Sequence, residues 1–189
     1  MKRDLQKNPV RIKRAKAGLV VVDIQERLLP AIFEHERLVQ TTVRLIKGAV
    51  VLGLPLFATE QYPKGLGPTG SEVAAAIPDF SPIEKLAFSA CGAKGFVAQL
   101  KKKKVSDVIL CGMETQVCIL QTCLDLLAMR FRVFVAADAI SSRTQRNYQL
   151  GLERMRDAGA VLVSAEMVLL ELLEKAGTDE FKQILALVK

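Results

Sequence analysis

The sequence predicts an α/β domain with a mainly parallel sheet, and three observations support this fold class. Short β-branched runs, such as residues 17–23, are typical of strands buried on both faces of a parallel sheet. Stretches with apolar residues at helical spacing alternate with these runs, and residues 33–53 are the longest of them. The chain has 189 residues, which is the length of one domain. This alternation favours a sheet covered by helices.

The strands are predicted from short apolar runs that end at a polar residue or a glycine. The second run begins at Pro55 and ends at Thr59, and the fourth ends at Gly112. The third run is short, and a lysine ends it. The six predicted strands are residues 17–23, 55–59, 82–85, 107–112, 132–137 and 160–163.

The helices are predicted from apolar stripes between these strands. In the first helix, Leu38, Thr42 and Leu45 lie on one stripe. Residues 60–71 hold two prolines and three glycines, which predicts a loop. The apolar stretch 168–173 fits either packing on the sheet or an interface between subunits. The predicted helices are residues 33–53, 92–104, 115–129, 144–159, 165–176 and 179–187.

The positive charge is concentrated at the start of the chain. The formal net charge is +7, and residues 1–16 contain seven basic side chains and one acid. We therefore expect a basic N-terminal tail at 1–16 and a single, almost neutral domain at 17–189. Clustered cations bind phosphate without specificity, so an alternative function is a non-catalytic scaffold whose tail binds nucleic acid or an anionic surface. The near-neutral domain and the lack of a nucleic-acid motif favour a different function.

The composition also indicates the compartment. Half of the residues are apolar and a quarter are charged, which excludes disordered and collagen-like classes. The first 16 residues lack the apolar segment of a secretory signal, and no apolar run is long enough to span a membrane. We therefore expect a cytoplasmic protein with free thiols and no membrane partner.

Candidate chemistry is expected at the carboxyl ends of the strands, where ligand sites of open α/β sheets lie. Asp23 and Gln25 follow the first strand, and Lys85 ends the third. Cys118 follows the fourth strand in the first turn of a helix, where the helix dipole and a nearby lysine would lower the pKa of a thiol. The alternatives are a helix-capping Asp23, an exposed Lys85 and a Cys118 that only packs in the core.

Elimination narrows the possible mechanisms. The only histidine, His35, lies in a polar helix start and is expected at the surface, so a thiol nucleophile would have to pass its proton to a carboxylate or an amine. The cysteines form no C-x-x-C pair, so no zinc site is expected. We expect Cys111 and Cys123 to be packing residues in the core.

Three blocks resemble the isochorismatase-like cysteine hydrolase superfamily. Residues 19–25, LVVVDIQ, are similar to its apolar strand ending in D-x-Q. Residues 84–89, EKLAFS, resemble its lysine block, and residues 112–118, GMETQVC, resemble its nucleophile turn G-x-E-T-x-V-C. The loop 59–68, TEQYPKGLGP, looks like the corresponding loop in the branch of isochorismatase-domain-containing proteins. The resemblance extends over residues 15–175.

The resemblance implies a Rossmann-like, three-layer α/β/α fold with six parallel strands in the order 3-2-1-4-5-6. It also implies a Cys118–Asp23–Lys85 triad and a cis peptide between Met113 and Glu114. The oxyanion hole would be the backbone N–H groups of Glu114 and Cys118, and the protein would form a homo-oligomer. The triad would hydrolyse a C–N bond of a small-molecule, amide-like substrate through a covalent acyl-enzyme.

Some positions depart from the resemblance. Residues 60–62 carry no histidine, so we expect neither a metal nor another cofactor. Gln116 stands where related members often have a histidine. Four side chains are predicted to line a compact substrate pocket, and Leu28 and Phe88 fit core packing equally well. The four are Gln25, Leu28, Tyr62 and Phe88.

Overall fold

The structure is a computed structural model that describes residues 11–189. It contains a six-stranded, all-parallel sheet with the strand order β3-β2-β1-β4-β5-β6. This order confirms the predicted fold class. The strands are β1 (Ala17–Val22), β2 (Leu56–Gln61), β3 (Ile83–Lys85), β4 (Asp107–Met113), β5 (Arg132–Ser141) and β6 (Val161–Val163).

Helices cover both faces of the sheet. They are α1 (His35–Val51), α2 (Pro63–Leu66), α3 (Ser71–Ala76), α4 (Phe96–Lys102), α5 (Leu120–Ala128), α6 (Gln145–Ala158), α7 (Ala165–Leu173) and α8 (Asp179–Val188). The apolar stripes of α1, α7 and α8 pack on one face, and those of α4, α5 and α6 pack on the other. Four apolar residues of the stretch in α7 pack on the sheet side, and Leu170 stays exposed; the four are Val168, Leu169, Leu172 and Leu173.

The two central strands, β1 and β4, position the site. Every residue of both strands is buried, because helices cover the sheet on both sides. Val22 lies opposite Gly112 at the carboxyl ends of these strands, where the strand order changes direction. Loops that leave two such strands diverge, and the opening between them is the usual place for a ligand.

Several element bounds differ from the predicted ones. The predicted loop at 60–71 is shorter, because β2 continues to Gln61 and α3 begins at Ser71. Three consecutive alanines give α3 its helix propensity, although prolines and glycines precede it. Strand β5 continues to Ser141 because it pairs with β4 again beyond a shift of register, where Met113 faces Ser141.

The packed part of the chain begins before the predicted boundary at residue 17. Ile12 is buried, and its N–H donates to Glu171 on α7. The N–H of Lys13 donates to the buried Asp107 at 2.8 Å, and Arg14 forms an ion pair with Glu180. The remainder of the predicted tail, residues 1–10, lies outside the described residues. Residues 12–14 therefore contact the domain through these groups.

Within residues 11–189, no helix is both long enough and apolar enough to cross a membrane.

Candidate active site

The carboxyl ends of β1 and β3 bring Asp23 and Lys85 together. Asp23 directly follows β1, and its φ of 53° turns the chain out of the sheet. One Asp23 oxygen, Oδ2, lies 2.6 Å from Lys85 Nζ, and both side chains are almost completely buried. Thr59 Oγ1 donates to the other oxygen, Oδ1, at 2.7 Å. A buried carboxylate requires such partners, because an unpaired buried charge is strongly destabilising.

The Lys85 ammonium has further acceptors besides Asp23. Gln61 Oε1 accepts a hydrogen bond from Nζ at 2.7 Å, and the carbonyl of Phe88 accepts one at 2.9 Å. The carbonyl of Ala87 is slightly more distant, at 3.2 Å. An ammonium has three protons and no lone pair, so these acceptors require the charged form of Lys85. The alternative of an exposed lysine at a strand end is wrong.

Cys118 lies in a turn of π-helix, Thr115–Ile119, that joins β4 to α5. The carbonyl of Glu114 accepts the N–H of Ile119 at 3.2 Å, which is the wide spacing of a π-helix. The peptide bond between Met113 and Glu114 is cis. The turn that carries Cys118 therefore differs from the ordinary α-helical first turn that the spacing predicts.

The Cys118 thiol lies close enough to Asp23 and Lys85 for both charges to act on it, and it lines the same cavity as Asp23. Burial is the main reason why its pKa rises to about 12, and the Asp23 charge raises it further while Lys85 lowers it. The expectation of a thiol pKa lowered by a helix end and a lysine is therefore wrong for this state of the protein. Burial outweighs the lysine, so the neutral form of the thiol is favoured beside the Asp23–Lys85 ion pair.

Cys118 opens into a cavity of about 250 Å³. Leu28 and Phe88 line this cavity, as predicted, together with Asp23. Five lining residues were not predicted from the sequence as cavity-lining side chains. They are Gln61, Leu66, Glu114, Val117 and Arg143.

The other two residues predicted for the substrate pocket, Gln25 and Tyr62, do not line this cavity. Gln25 is completely buried, and its amide bonds to the main chain of Gln61 and Gly67. It therefore holds the loop together and does not face the cavity. Tyr62 has a φ of 38°, and its half-exposed ring lines a neighbouring groove with Leu86.

One charged pair lies at the cavity wall. Arg143 Nε donates to Glu114 Oε2 at 2.7 Å, and Gln116 Nε2 donates to the same oxygen at 3.1 Å. Ser142 Oγ in turn donates to Gln116 Oε1 at 2.6 Å. Gln116 thus orients the Glu114 carboxylate, and the pair adds no net charge to the wall.

The remaining candidate groups lie away from the cavity. His35 is half-buried at the start of α1 and does not line the cavity beside Cys118. Cys111 and Cys123 are completely buried, and Cys91 is half-buried. Over residues 11–189, no three His, Cys, Asp or Glu side chains are grouped as metal ligands.

We predict that the buried thiols make the protein less stable at alkaline pH. Burial raises the pKa of Cys123 from 9.0 to about 12, so between these values only the unfolded chain releases the proton. The free energy of unfolding should therefore fall as pH rises above the unfolded value, with a limiting slope of about 1.4 kcal/mol per pH unit for each such thiol. Urea unfolding of Cys123→Ala should give a less steep fall. An unchanged slope would contradict this linkage.

Comparison with known proteins places the chain among relatives of the same architecture. The family model for the isochorismatase domain matches residues 17–167. Isochorismatase domain-containing protein 2A of Mus musculus is 39% identical over 184 residues, covering 95% of this chain and 85% of that protein.

Two solved structures are similar over nearly their whole length. The MAR1 ribonuclease of Caenorhabditis elegans is 37% identical with a TM-score of 0.89, covering 95% of this chain and 92% of that one. The YcaC gene product of Escherichia coli, described as an octameric hydrolase of unknown specificity, is 27% identical with a TM-score of 0.88, covering 94% and 89%. The family model covers most of the chain and the identity to relatives is high, so this chain belongs to the isochorismatase family.

Proposed function

We propose that this protein is a cysteine-dependent hydrolase that cleaves a C–N bond of a small, amide-like molecule. One observation carries the proposal: Cys118 opens into a cavity and is within reach of a buried Asp23–Lys85 ion pair. A nucleophile, a proton acceptor and a fixed cation are the groups that acyl transfer through a thiol requires. Membership of a family of hydrolases supports the same reaction class.

The proposed reaction begins with transfer of the Cys118 proton to Asp23. The sulfur forms a bond to the acyl carbon, and the carbonyl π electrons move to the oxygen. The N–H groups of Glu114 and Cys118 stabilise this oxyanion. The C–N bond then breaks as Asp23 returns the proton to the leaving nitrogen. Water hydrolyses the thioester, which releases the acid and restores the thiol.

The charges of the triad support this order of steps. In the resting state the thiol is neutral and the Asp23 carboxylate balances Lys85. After proton transfer the Asp23 carboxyl is neutral and the thiolate balances the same ammonium. The buried site keeps its net charge throughout, which avoids the large cost of an unpaired buried charge.

The cavity wall favours a small, mostly apolar substrate. Leu28, Leu66, Phe88 and Val117 supply apolar surface, and about 250 Å³ is below the usual range of pockets for drug-sized ligands. RNA cleavage, which the name of the Caenorhabditis elegans relative suggests, has less support. Lys85 is fully buried and Arg143 is paired with Glu114, so the described site offers few cations to a phosphodiester.

The test is intact-mass spectrometry of the protein during incubation with a panel of small amides. We expect a thioester adduct on Cys118 and release of acid, and we expect Cys118→Ala to form no adduct and to lose turnover. Cys91→Ala is the control, because Cys91 is half-buried and does not line the cavity. Full turnover by Cys118→Ala would refute the mechanism, and cleavage of an RNA panel alone would favour the ribonuclease function.

A homo-oligomer is the second part of the proposal. The related Escherichia coli protein is octameric. Leu86 is 77% exposed beside the half-exposed Tyr62 and Phe88, which gives an apolar surface next to the cavity. Light scattering should give a mass that is a multiple of 20.7 kDa, and the mass of a single chain at all concentrations would contradict this.

A cytoplasmic location is also proposed. All four cysteines are free, which is typical of proteins in reducing compartments. Fractionation of cells that express the protein tests this location directly.

A further inference from the structure

The side chain of Gln61 links the cavity wall to the buried ion pair. Gln61 ends β2, and its Oε1 accepts a hydrogen bond from Lys85 Nζ at 2.7 Å. Its Nε2 donates to the carbonyl of Leu86 at 2.8 Å. With a donor at one end and an acceptor at the other, only one orientation of this amide satisfies both bonds. The oxygen of Gln61 is therefore held against the ammonium.

The main chain of Gln61 is fixed independently of its side chain. The buried amide of Gln25 donates to the Gln61 carbonyl at 3.0 Å and accepts the Gln61 N–H at 2.7 Å. The same amide donates to the carbonyl of Gly67 at 2.7 Å. A substitution that changes only the Gln61 side chain leaves these hydrogen bonds of the Gln25 amide intact, so such a variant should keep the fold.

Among the partners of Lys85, only Asp23 changes its charge during the proposed reaction. When the proton moves from Cys118 to Asp23, the carboxyl loses its charge and its hold on the ammonium weakens. The oxygen of Gln61 and the carbonyl of Phe88 keep their positions and partial charges. Together with the more distant carbonyl of Ala87, these two acceptors are the uncharged contacts that can hold the ammonium while its counter-charge passes to the sulfur.

We infer that Gln61 is a positioning residue that holds the Lys85 ammonium beside Cys118 and Asp23 while the proton moves between them. The inference rests on the proposed function, because it assigns Gln61 a role in that proton transfer. Gln61 acts through Lys85, so its effect appears in the reactivity of the Cys118 thiol. Loss of the amide would remove the shortest uncharged contact of the buried ammonium, since the carbonyls of Phe88 and Ala87 lie farther away, at 2.9 and 3.2 Å.

The test measures alkylation of Cys118 by iodoacetamide, which needs no knowledge of the substrate. Mass spectrometry of the Cys118 peptide separates this thiol from Cys91. In Gln61→Met, which keeps the size of the side chain but removes the acceptor, the alkylation rate at neutral pH should fall about tenfold, since a hydrogen bond to a charged group is lost.

The pH profile distinguishes positioning from a structural effect. In the wild type the proton passes internally to Asp23, so the alkylation rate should change little between about pH 6 and about pH 9. In Gln61→Met the thiol depends more on hydroxide for its ionisation, so the rate should rise with pH. A purely structural role would lower the free energy of unfolding and leave the shape of the profile unchanged.

Gln116→Met is the matched control. Gln116 is also an amide bonded at both ends near Cys118, and its partners are Glu114 and Ser142 instead of Lys85. In Gln116→Met, we expect the alkylation rate of Cys118 at neutral pH to stay near the wild-type rate. A wild-type rate in Gln61→Met, or an equal fall in both variants, would overturn the inference. If iodoacetamide alkylates Cys118 of the wild type but no amide forms an acyl adduct, the proposed function is contradicted. The comparison of alkylation rates then still decides on the role of Gln61.

Discussion

Lys85→Met is expected to destabilise the protein by about 3–5 kcal/mol, because it leaves the buried Asp23 carboxylate without its counter-ion. The same substitution should lower turnover in the proposed reaction by about 10²- to 10⁴-fold, since the Cys118 thiolate formed in that reaction loses the nearby Lys85 ammonium. Urea unfolding measures the first effect, and acid release from the amide panel measures the second.

Two further variants show whether the loss of stability in Lys85→Met comes from the unpaired charge or from the changed packing. In the double variant Asp23→Asn/Lys85→Met no unpaired charge is left, so part of the lost stability should return while turnover stays low. Lys182→Met is the control, because Lys182 pairs with Asp179 at the surface and its loss should cost less than about 1 kcal/mol. Equal stability losses in Lys85→Met and Lys182→Met would show that the buried pair contributes no more than a surface pair.

Much of the fold could be predicted because its signals are local. Six apolar runs and the helical stripes between them are properties of neighbouring residues, and they predicted the strands and the main helices. The strand order came from the resemblance to the superfamily, and the sheet has that order. The small helix α3 was missed because prolines and glycines next to it dominate the local pattern.

The cavity wall was harder to predict because it depends on the directions of side chains in irregular segments. Tyr62 was expected in the pocket, but it lines a neighbouring groove at a turn with positive φ, and no apolar period signals such a turn. Gln25 was expected there as well, but its amide is used by the main chain of a loop distant in sequence. Arg143 and Gln61 carry no local signal, since they reach the cavity only through the packing of separate elements.

The pKa of the Cys118 thiol could not be predicted from the place of this residue in the sequence. Spacing placed Cys118 in a first helical turn, and this alone suggests a lowered pKa for the thiol. The actual pKa depends on how many atoms surround the sulfur and on the two charges beside it, which come from β1 and β3. These are long-range properties, so they require the assembled fold.

Gly112→Ala is expected to prevent the turn that carries Cys118 from forming. Gly112 has a φ of 121°, and a Cβ atom there would lie 2.1 Å from the carbonyl oxygen of Val22. Both partners are main-chain atoms of the two central strands, so neither can move aside as a side chain would. We expect a loss of more than about 4 kcal/mol in the free energy of unfolding, or no folded protein.

Gly159→Ala separates this steric clash from backbone strain. Gly159 follows α6 with a similar φ of 109°, but a Cβ there would meet no atom within 4 Å. Its substitution should therefore cost only the strain of a positive φ, about 1–2 kcal/mol. Urea unfolding compares the two variants directly. Similar losses would mean that β1 and β4 can separate enough to admit a side chain, and the position of Cys118 beside Asp23 would then not depend on their close approach.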